Sequence, residues 1–233
     1  KKIFFFFQIK SIGFPAVIAG MSLVAAYSGG VYAIQTTSVA NAMLLFATAP
    51  FMAAVLGWFF LKESVRVATW IFIVIAVVGI FIMVADKFGS SVLSGSAAAI
   101  ASAFGFALFT VALRWGKSIE MLPAVFLSGL FGTAVMLAIC LLMDLPILLS
   151  LNDGGISAGM GVFQVGAGLI LYTLGSRTLQ AADLTLLSLA EVLLGPFWVW
   201  IFLNETITEN TLIGGAFLLF AIAGNAISGK RRN

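Results

Sequence analysis

Glu191 has the clearest capacity for chemistry in this chain, because it stands near the middle of a long apolar segment, residues 182–203. If that segment crosses a membrane as a helix, an acid at its centre costs roughly 2.5–3.5 kcal/mol and should face protein or water rather than lipid. Its carboxylate can bind a substrate ammonium group or carry a proton. The alternative is structural: a protonated Glu191 that hydrogen-bonds to a neighbouring helix.

Helical spacing places other polar and aromatic side chains in similar positions. Ser188 and Trp198 share the face of Glu191, together with Gly195, and give it the character of a cavity wall. Segment 156–176 carries a second stripe, in which glycines leave room around polar side chains: Ser157, Gly161, Gln164, Gly168 and Tyr172. A glutamine in such a stripe can hydrogen-bond a substrate, or it can hold two closely packed helices together.

Two further apolar segments offer candidates of the same kind. Asn41 and Thr48 lie seven residues apart on one face of segment 37–61, and Tyr32 ends a stripe of small and polar residues in segment 12–34. All three are candidate binding residues.

Two prolines, Pro50 and Pro196, fall within apolar segments. Each removes a backbone hydrogen bond from a helix that contains it. A helix broken in this way can line a cavity or act as a hinge. A simple packing kink is the alternative.

The absence of certain residue types excludes several kinds of chemistry. The chain has no histidine and one cysteine, Cys140. Zinc sites of the Cys/His type, Ser-His-Asp and Cys-His catalytic groups, and an internal disulfide are therefore excluded. We expect no enzymatic activity, no metal and no cofactor. The net charge of +3 comes from basic residues scattered between apolar segments, which argues against nucleic acid as a partner.

The composition indicates that these residues stand on membrane-spanning helices. Of the 233 residues, 62% are hydrophobic and 9% are charged, whereas soluble domains are roughly 45–50% apolar and about 25% charged. The apolar runs are too long and too poor in alternation for barrel strands, so the predicted fold class is an all-α integral membrane protein. Eight stretches have the length of about 20 residues that a bilayer crossing needs. They are residues 12–34, 37–61, 68–85, 95–115, 121–143, 156–176, 182–203 and 210–228.

The basic residues predict the orientation of these helices. With eight spans, eleven of the twelve lysines and arginines fall on one side of the membrane, and only Lys87 falls on the other. Cytoplasmic loops carry such an excess of basic residues. We therefore expect a multi-pass protein of the inner or plasma membrane with a cytoplasmic C-terminus.

A shift of 142 residues reveals an internal repeat. It superimposes Leu61-Lys62-Glu63 on Leu203-Asn204-Glu205. The predicted orientation places the first glutamate inside and the second outside, so the two copies cross the membrane in opposite directions, as in many secondary transporters. The same shift also pairs Ala40 with Ala182, Leu44 with Leu186, Leu45 with Leu187, Trp58 with Trp200, Phe60 with Phe202, Thr69 with Thr211 and Ile71 with Ile213.

The repeat predicts a longer protein. Residues 95–142, two helices, have no counterpart in the first half, and the chain begins with lysine. We expect two more helices upstream and ten in all, arranged as two inverted five-helix repeats. Residues 1–92 would hold the last three helices of the first repeat, and residues 93–233 the five helices of the second.

Short motifs recur in order along both halves. They are Thr37-Ser38-Val39-Ala40-Asn41-Ala42, Ala49-Pro50-Phe51, Leu61-Lys62-Glu63, Trp70 and Gly79, and then Ala190-Glu191, Pro196-Phe197-Trp198, Leu203-Asn204-Glu205 and Leu212-Ile213-Gly214-Gly215. In their order, spacing and duplicated layout they resemble the EamA-type branch of the drug/metabolite transporter superfamily, over nearly the whole chain.

The resemblance implies two inverted five-helix repeats, a central substrate cavity and both termini in the cytoplasm. It also implies export or exchange of small metabolites, often amino acids. The chain departs from the family where Glu-Pro is common, because Glu191 is followed by Val192 and the proline comes one turn later, at Pro196. We expect any kink to be displaced accordingly.

The expected function is therefore secondary transport of a small metabolite, such as an amino acid, by alternating access. Exchange for protons through Glu191 is one option for its energy source. The expected partners are a small-molecule substrate and the lipid bilayer, and the sequence leaves the oligomeric state open. A membrane receptor or lipid-handling scaffold that transports nothing is the alternative.

Overall fold

Helices satisfy every backbone polar group within a single segment, as a bilayer requires, and the apolar runs of this chain form helices. The computed structural model describes residues 14–62, 64–85, 92–115, 122–142, 144, 150–168, 171, 198, 201–202 and 208–230, and these contain helices and no strand. The described α-helices, α1 to α8 in chain order, are Phe14–Thr36, Val39–Phe46, Ala49–Leu61, Val67–Ala85, Val92–Trp115, Leu122–Leu142, Leu151–Gly159 and Glu209–Lys230. A π-helix, Met160–Ala167, continues α7 directly.

Within the described residues, six helical stretches are long and apolar enough to cross a membrane. They are Phe14–Thr36, Val39–Leu61, Val67–Ala85, Leu93–Ala112, Val125–Leu142 and Glu209–Ser228. They coincide with six of the eight predicted spans, and α2 and α3 together form one of them. The predicted span 156–176 is described only in part, and the predicted span 182–203 lies almost wholly outside the described residues. The totals of eight and ten helices stay predictions.

Polar residues set several helix ends within otherwise apolar runs. The Ser38 hydroxyl accepts a hydrogen bond from the Asn41 backbone N–H (3.2 Å) and caps the start of α2. The Thr208 hydroxyl accepts one from the Thr211 N–H (3.3 Å) at the start of α8. Such caps satisfy backbone donors that the first helical turn leaves free. Lys62 ends α3 in the left-handed conformation, with φ of 56°.

The contacts divide the chain into two groups, Lys1–Val24 with Ala112–Gln180 and Ala25–Val111 with Ala181–Asn233. In the first group, α1 packs closely on α6 at a glycine. A Cβ on Gly20 would lie 3.1 Å from Cδ2 of Phe131 and 3.3 Å from Cβ of Leu127. The absence of a side chain at Gly20 therefore permits this approach.

In the second group, small residues bring α1 and α5 together. A Cβ on Gly29 would lie 3.1 Å from the Ala98 carbonyl oxygen, and the Ser102 hydroxyl donates a hydrogen bond to the Ala26 carbonyl (2.6 Å). The buried core of this group draws on α1 to α5 and α8, and it consists of Ala33, Ala42, Leu44, Leu45, Ala47, Phe51, Ala76, Met83, Ala99, Leu218, Ala221 and Ile222.

The tightest helix contact in the second group joins α4 and α8. A Cβ on Gly79 would lie 2.6 Å from the Gly214 carbonyl oxygen, and a Cβ on Gly214 would overlap the Gly79 carbonyl and lie 2.5 Å from Cγ of Met83. Nearer the start of α4, the Thr69 hydroxyl donates a hydrogen bond to Oδ1 of Asn225 (2.8 Å). Early residues of α4 thus meet late residues of α8, so the two helices are antiparallel.

We predict that Gly214→Ala destabilises the protein, because the new methyl group has no space between α8 and α4. Overpacking a tight core costs about 1–3 kcal/mol, which lowers the midpoint of thermal unfolding followed by tryptophan fluorescence in detergent. Gly129→Ala in α6 is the matched control, since no atom lies within 4 Å of its added Cβ. The control should keep or raise the midpoint, because alanine favours a helix by about 1 kcal/mol over glycine. Equal midpoints for the two variants would contradict the close crossing.

Candidate functional site

Asn41 is the most deeply buried of the predicted site residues that the structure describes. Its side chain is 0% exposed. Its Nδ2 donates hydrogen bonds to the Thr37 hydroxyl (3.1 Å) and to the Ser96 hydroxyl of α5 (3.0 Å). Its Oδ1 has no hydrogen-bond partner among the described residues. A buried polar atom left unsatisfied costs about 1–3 kcal/mol. Asn41 therefore ties α2 to α5 and keeps one acceptor that a water or another donor can fill.

A glycine at the start of α5 makes this contact possible. A Cβ on Gly95 would lie 2.6 Å from Oγ1 of Thr36 and 2.8 Å from the backbone nitrogen of Thr37. The turn between α1 and α2 therefore rests directly on the backbone of α5. Any larger residue at position 95 would push the two apart.

The serines on either side of this glycine connect two predicted site residues. Ser96 accepts from Asn41, and Ser94 accepts a long hydrogen bond from the hydroxyl of Tyr32 in α1 (3.5 Å). Tyr32 is half exposed, whereas Asn41 is enclosed. Tyr32 and Asn41 therefore both contact the start of α5. Ser94 and Ser96 were not among the predicted site residues, although a Ser-Gly-Ser sequence inside an apolar helix signals a close polar contact.

The predicted span that contains Asn41 is interrupted at Ala47 and Thr48. Pro50 has no N–H, so the Phe46 carbonyl loses the donor that a continuous helix would supply. Thr48 is buried, and its hydroxyl donates a hydrogen bond to the Leu45 carbonyl (2.7 Å). The hydroxyl proton is therefore bonded within its own segment. The helix therefore ends at Phe46 and restarts at Ala49. Asn41 and Thr48 are both buried, as their shared face predicts, but this break separates them.

The remaining predicted site residues are described only in part. Trp198 is half exposed and stacks on Phe202, with ring centroids 5.6 Å apart. The backbone of position 164 belongs to the π-helix, a type of helix found frequently at functional sites. Outside the described residues lie the Gln164 side chain and the whole of Tyr172, Ser188, Glu191 and Pro196. Among the residues that the structure does describe, no group of three or more His, Cys, Asp or Glu side chains could hold a metal ion.

Known proteins resemble the chain over most of its length. An uncharacterized transporter of Clostridium kluyveri is 26% identical over 96% of this chain and 75% of its own length. The uncharacterized transporter YwfM of Bacillus subtilis is 23% identical over 92% of this chain and 74% of its own length. A further uncharacterized transporter, from Methanothermobacter thermautotrophicus, is 24% identical over 80% of this chain and 56% of its own length.

A solved structure and a family profile also match this chain. A solved crystal structure aligns with 94% of this chain and 76% of its own, with a TM-score of 0.58 and 18% sequence identity, and so shares its fold. The profile of the EamA-like transporter family matches residues 2–85 and residues 93–227. Together with the membrane-spanning helices, these matches identify a multi-pass membrane protein. The chain belongs to the EamA-like transporter family.

Proposed function

We propose that the chain is a secondary transporter that exports a small metabolite, such as an amino acid, from the cell. Two inverted repeats would alternate access to a cavity between them, as in other transporters built from inverted repeats. The observation that carries this proposal is the antiparallel contact of α4 with α8.

The 142-residue shift relates these two helices to each other. It carries Val67, the first residue of α4, onto Glu209, the first residue of α8. Two copies related by a two-fold axis in the membrane plane cross in opposite directions. The antiparallel packing of α4 and α8 is what such an axis requires of equivalent helices.

The positions of the contacts support the same relationship. Ala76 and Leu218 are equivalent under the shift, and both are buried, at 2% and 0% exposure. Thr69 lies seven residues before Ala76, and its partner Asn225 lies seven residues after Leu218. The α4–α8 contact is therefore centred where an axis that exchanged the two helices would pass.

The two segments matched by the family profile favour the same division of the chain. The gap between them, residues 86–92, falls at the proposed boundary between residues 1–92, part of the first repeat, and residues 93–233, the second repeat. A break between matched segments at this place is expected if each segment is one copy of a family unit.

The ends of the antiparallel pair support a cytoplasmic C-terminus. Arg66 immediately precedes α4, and Lys230 is the last residue of α8, so both basic positions lie at one end of the pair. Glu209 opens α8 at the other end. Because cytoplasmic loops carry an excess of basic residues, this arrangement favours a cytoplasmic location for the first end.

Glu191 is the residue we propose for binding cargo or carrying the proton, with Ser188 and Trp198 on the same face. Tyr32, Asn41, Thr48, Gln164 and Tyr172 complete the set of proposed binding residues. Asn41 has an acceptor, Oδ1, without a partner among the described residues, although its amide nitrogen already bonds within the protein. Pro50 and Pro196 are proposed as hinges, and the break at Thr48 gives the first of them a local structural basis.

Efflux from intact cells tests the proposed function. Cells loaded with a panel of labelled amino acids and similar metabolites should lose at least one compound faster when they express the full-length protein than when they lack it. A receptor or scaffold would move none of them. Equal rates for every compound at matched expression would therefore remove the basis for a transport function.

Glu191→Gln tests the proposed role of the carboxylate, because glutamine keeps the size of the side chain and cannot release a proton. We predict that export driven by a proton gradient falls to the rate of cells without the protein. Glu209→Gln is the matched control, since it neutralises an exposed acid at the start of α8. Unchanged dependence on the proton gradient in Glu191→Gln would rule out Glu191 as the proton carrier.

A further inference from the structure

The corner between α3 and α4 combines exposed aromatic rings with two basic side chains. We propose that this corner binds the headgroup of an anionic phospholipid, with the lipid chains against its rings. We call it the aromatic–basic corner and define it by six residues: Trp58, Phe59, Phe60, Lys62, Arg66 and Trp70. The proposal does not depend on transport.

Lys62 is held in place within this corner. Its backbone has φ of 56°, and its N–H donates to the Gly57 carbonyl at the end of α3. Its ammonium group lies 5.6 Å from the centroid of the Phe59 ring, within the range in which a cation is attracted to an aromatic face. An ammonium group carries three donors, and a ring on one side leaves donors available for a phosphate oxygen.

The aromatic residues of the corner form two edge-to-face pairs. The rings of Trp58 and Trp70 lie 5.6 Å apart at 88°, and those of Phe59 and Phe60 lie 5.1 Å apart at 84°. The first pair joins the end of α3 to the start of α4. Trp58, Phe59 and Phe60 keep half or more of their surface exposed. Tryptophan is enriched where a helix passes from the hydrocarbon core into the headgroups, so Trp58 and Trp70 mark that depth.

The positive charge of the corner favours an anionic partner. Lys62 and Arg66 are both exposed, and neither has a carboxylate partner among the described residues. Their segment, residues 62–66, contains two basic residues and one acid, Glu63, which leaves a net charge of +1. Basic residues next to membrane-spanning helices attract anionic lipids. A phospholipid can satisfy both features of the corner, because its phosphate can bind the cations while its acyl chains pack against the rings.

Lipid binding to the purified full chain tests this proposal. Native mass spectrometry would compare retention of phosphatidylglycerol with that of zwitterionic phosphatidylcholine. Each basic residue near an anionic surface contributes about five-fold in binding, so Lys62→Gln with Arg66→Gln should weaken phosphatidylglycerol retention roughly 25-fold and leave phosphatidylcholine unchanged. Glu63→Gln should strengthen it. The preference for phosphatidylglycerol should also fall as salt is raised, because the cations are exposed.

Two controls separate the site from net charge and from damage to the fold. Lys87→Gln removes a basic residue elsewhere and should leave phosphatidylglycerol retention intact. Lys62→Arg with Arg66→Lys keeps both charges and should retain most of the binding. Full phosphatidylglycerol retention in the neutralised double variant would overturn the proposal. So would a parallel loss of both lipids, because it would show that the charges select no headgroup.

Discussion

The close crossing of α4 and α8 at Gly79 and Gly214 is the contact on which this account depends. A bilayer offers no hydrophobic gain for pressing one apolar helix against another, so helices associate through tight packing and hydrogen bonds. Glycine on both sides lets the two backbones come close enough for both effects. The Thr69–Asn225 hydrogen bond then fixes the register of the pair within an otherwise apolar interface. Because the 142-residue shift exchanges these helices, the same contact supports the proposed pairing of the two repeats.

Polar groups are scarce in this chain, and several of the described ones either join two helices or satisfy a backbone group. Asn41 links α2 to α5, Ser102 links α5 to α1, and Thr48 satisfies a carbonyl beside the helix break. A group that gives its donors to a neighbouring helix has fewer left for cargo. Oδ1 of Asn41, in contrast, has no partner among the described residues and leaves an acceptor open in an enclosed place. The proposed role of Glu191 follows from the same scarcity, because an acid within the hydrocarbon region needs protein or water around it.

Apolar composition and run length sufficed to predict the fold class and six of the spans. They could not predict where the span 37–61 is interrupted, because a proline indicates lost hydrogen bonding but not the residue at which the helix ends. The 142-residue repeat pointed to equivalent helices, yet it could not reveal that α4 and α8 touch. Ser96 was overlooked for a related reason: a serine in an apolar helix gains significance only when the partner across the interface is known, here the Asn41 amide. Contacts between helices distant in sequence depend on packing, which the pattern of a single segment does not encode.

Cross-linking measures the antiparallel contact of α4 and α8 most directly. In a chain with Cys140→Ala, the double variant Thr69→Cys with Asn225→Cys places two thiols where the structure has a 2.8 Å hydrogen bond. We predict that this pair forms a disulfide under mild oxidation in native membranes. The pair Thr69→Cys with Thr211→Cys should form none, because those residues lie near opposite ends of the antiparallel helices. A disulfide in the second pair and none in the first would show parallel helices and contradict the proposed relationship of the repeats.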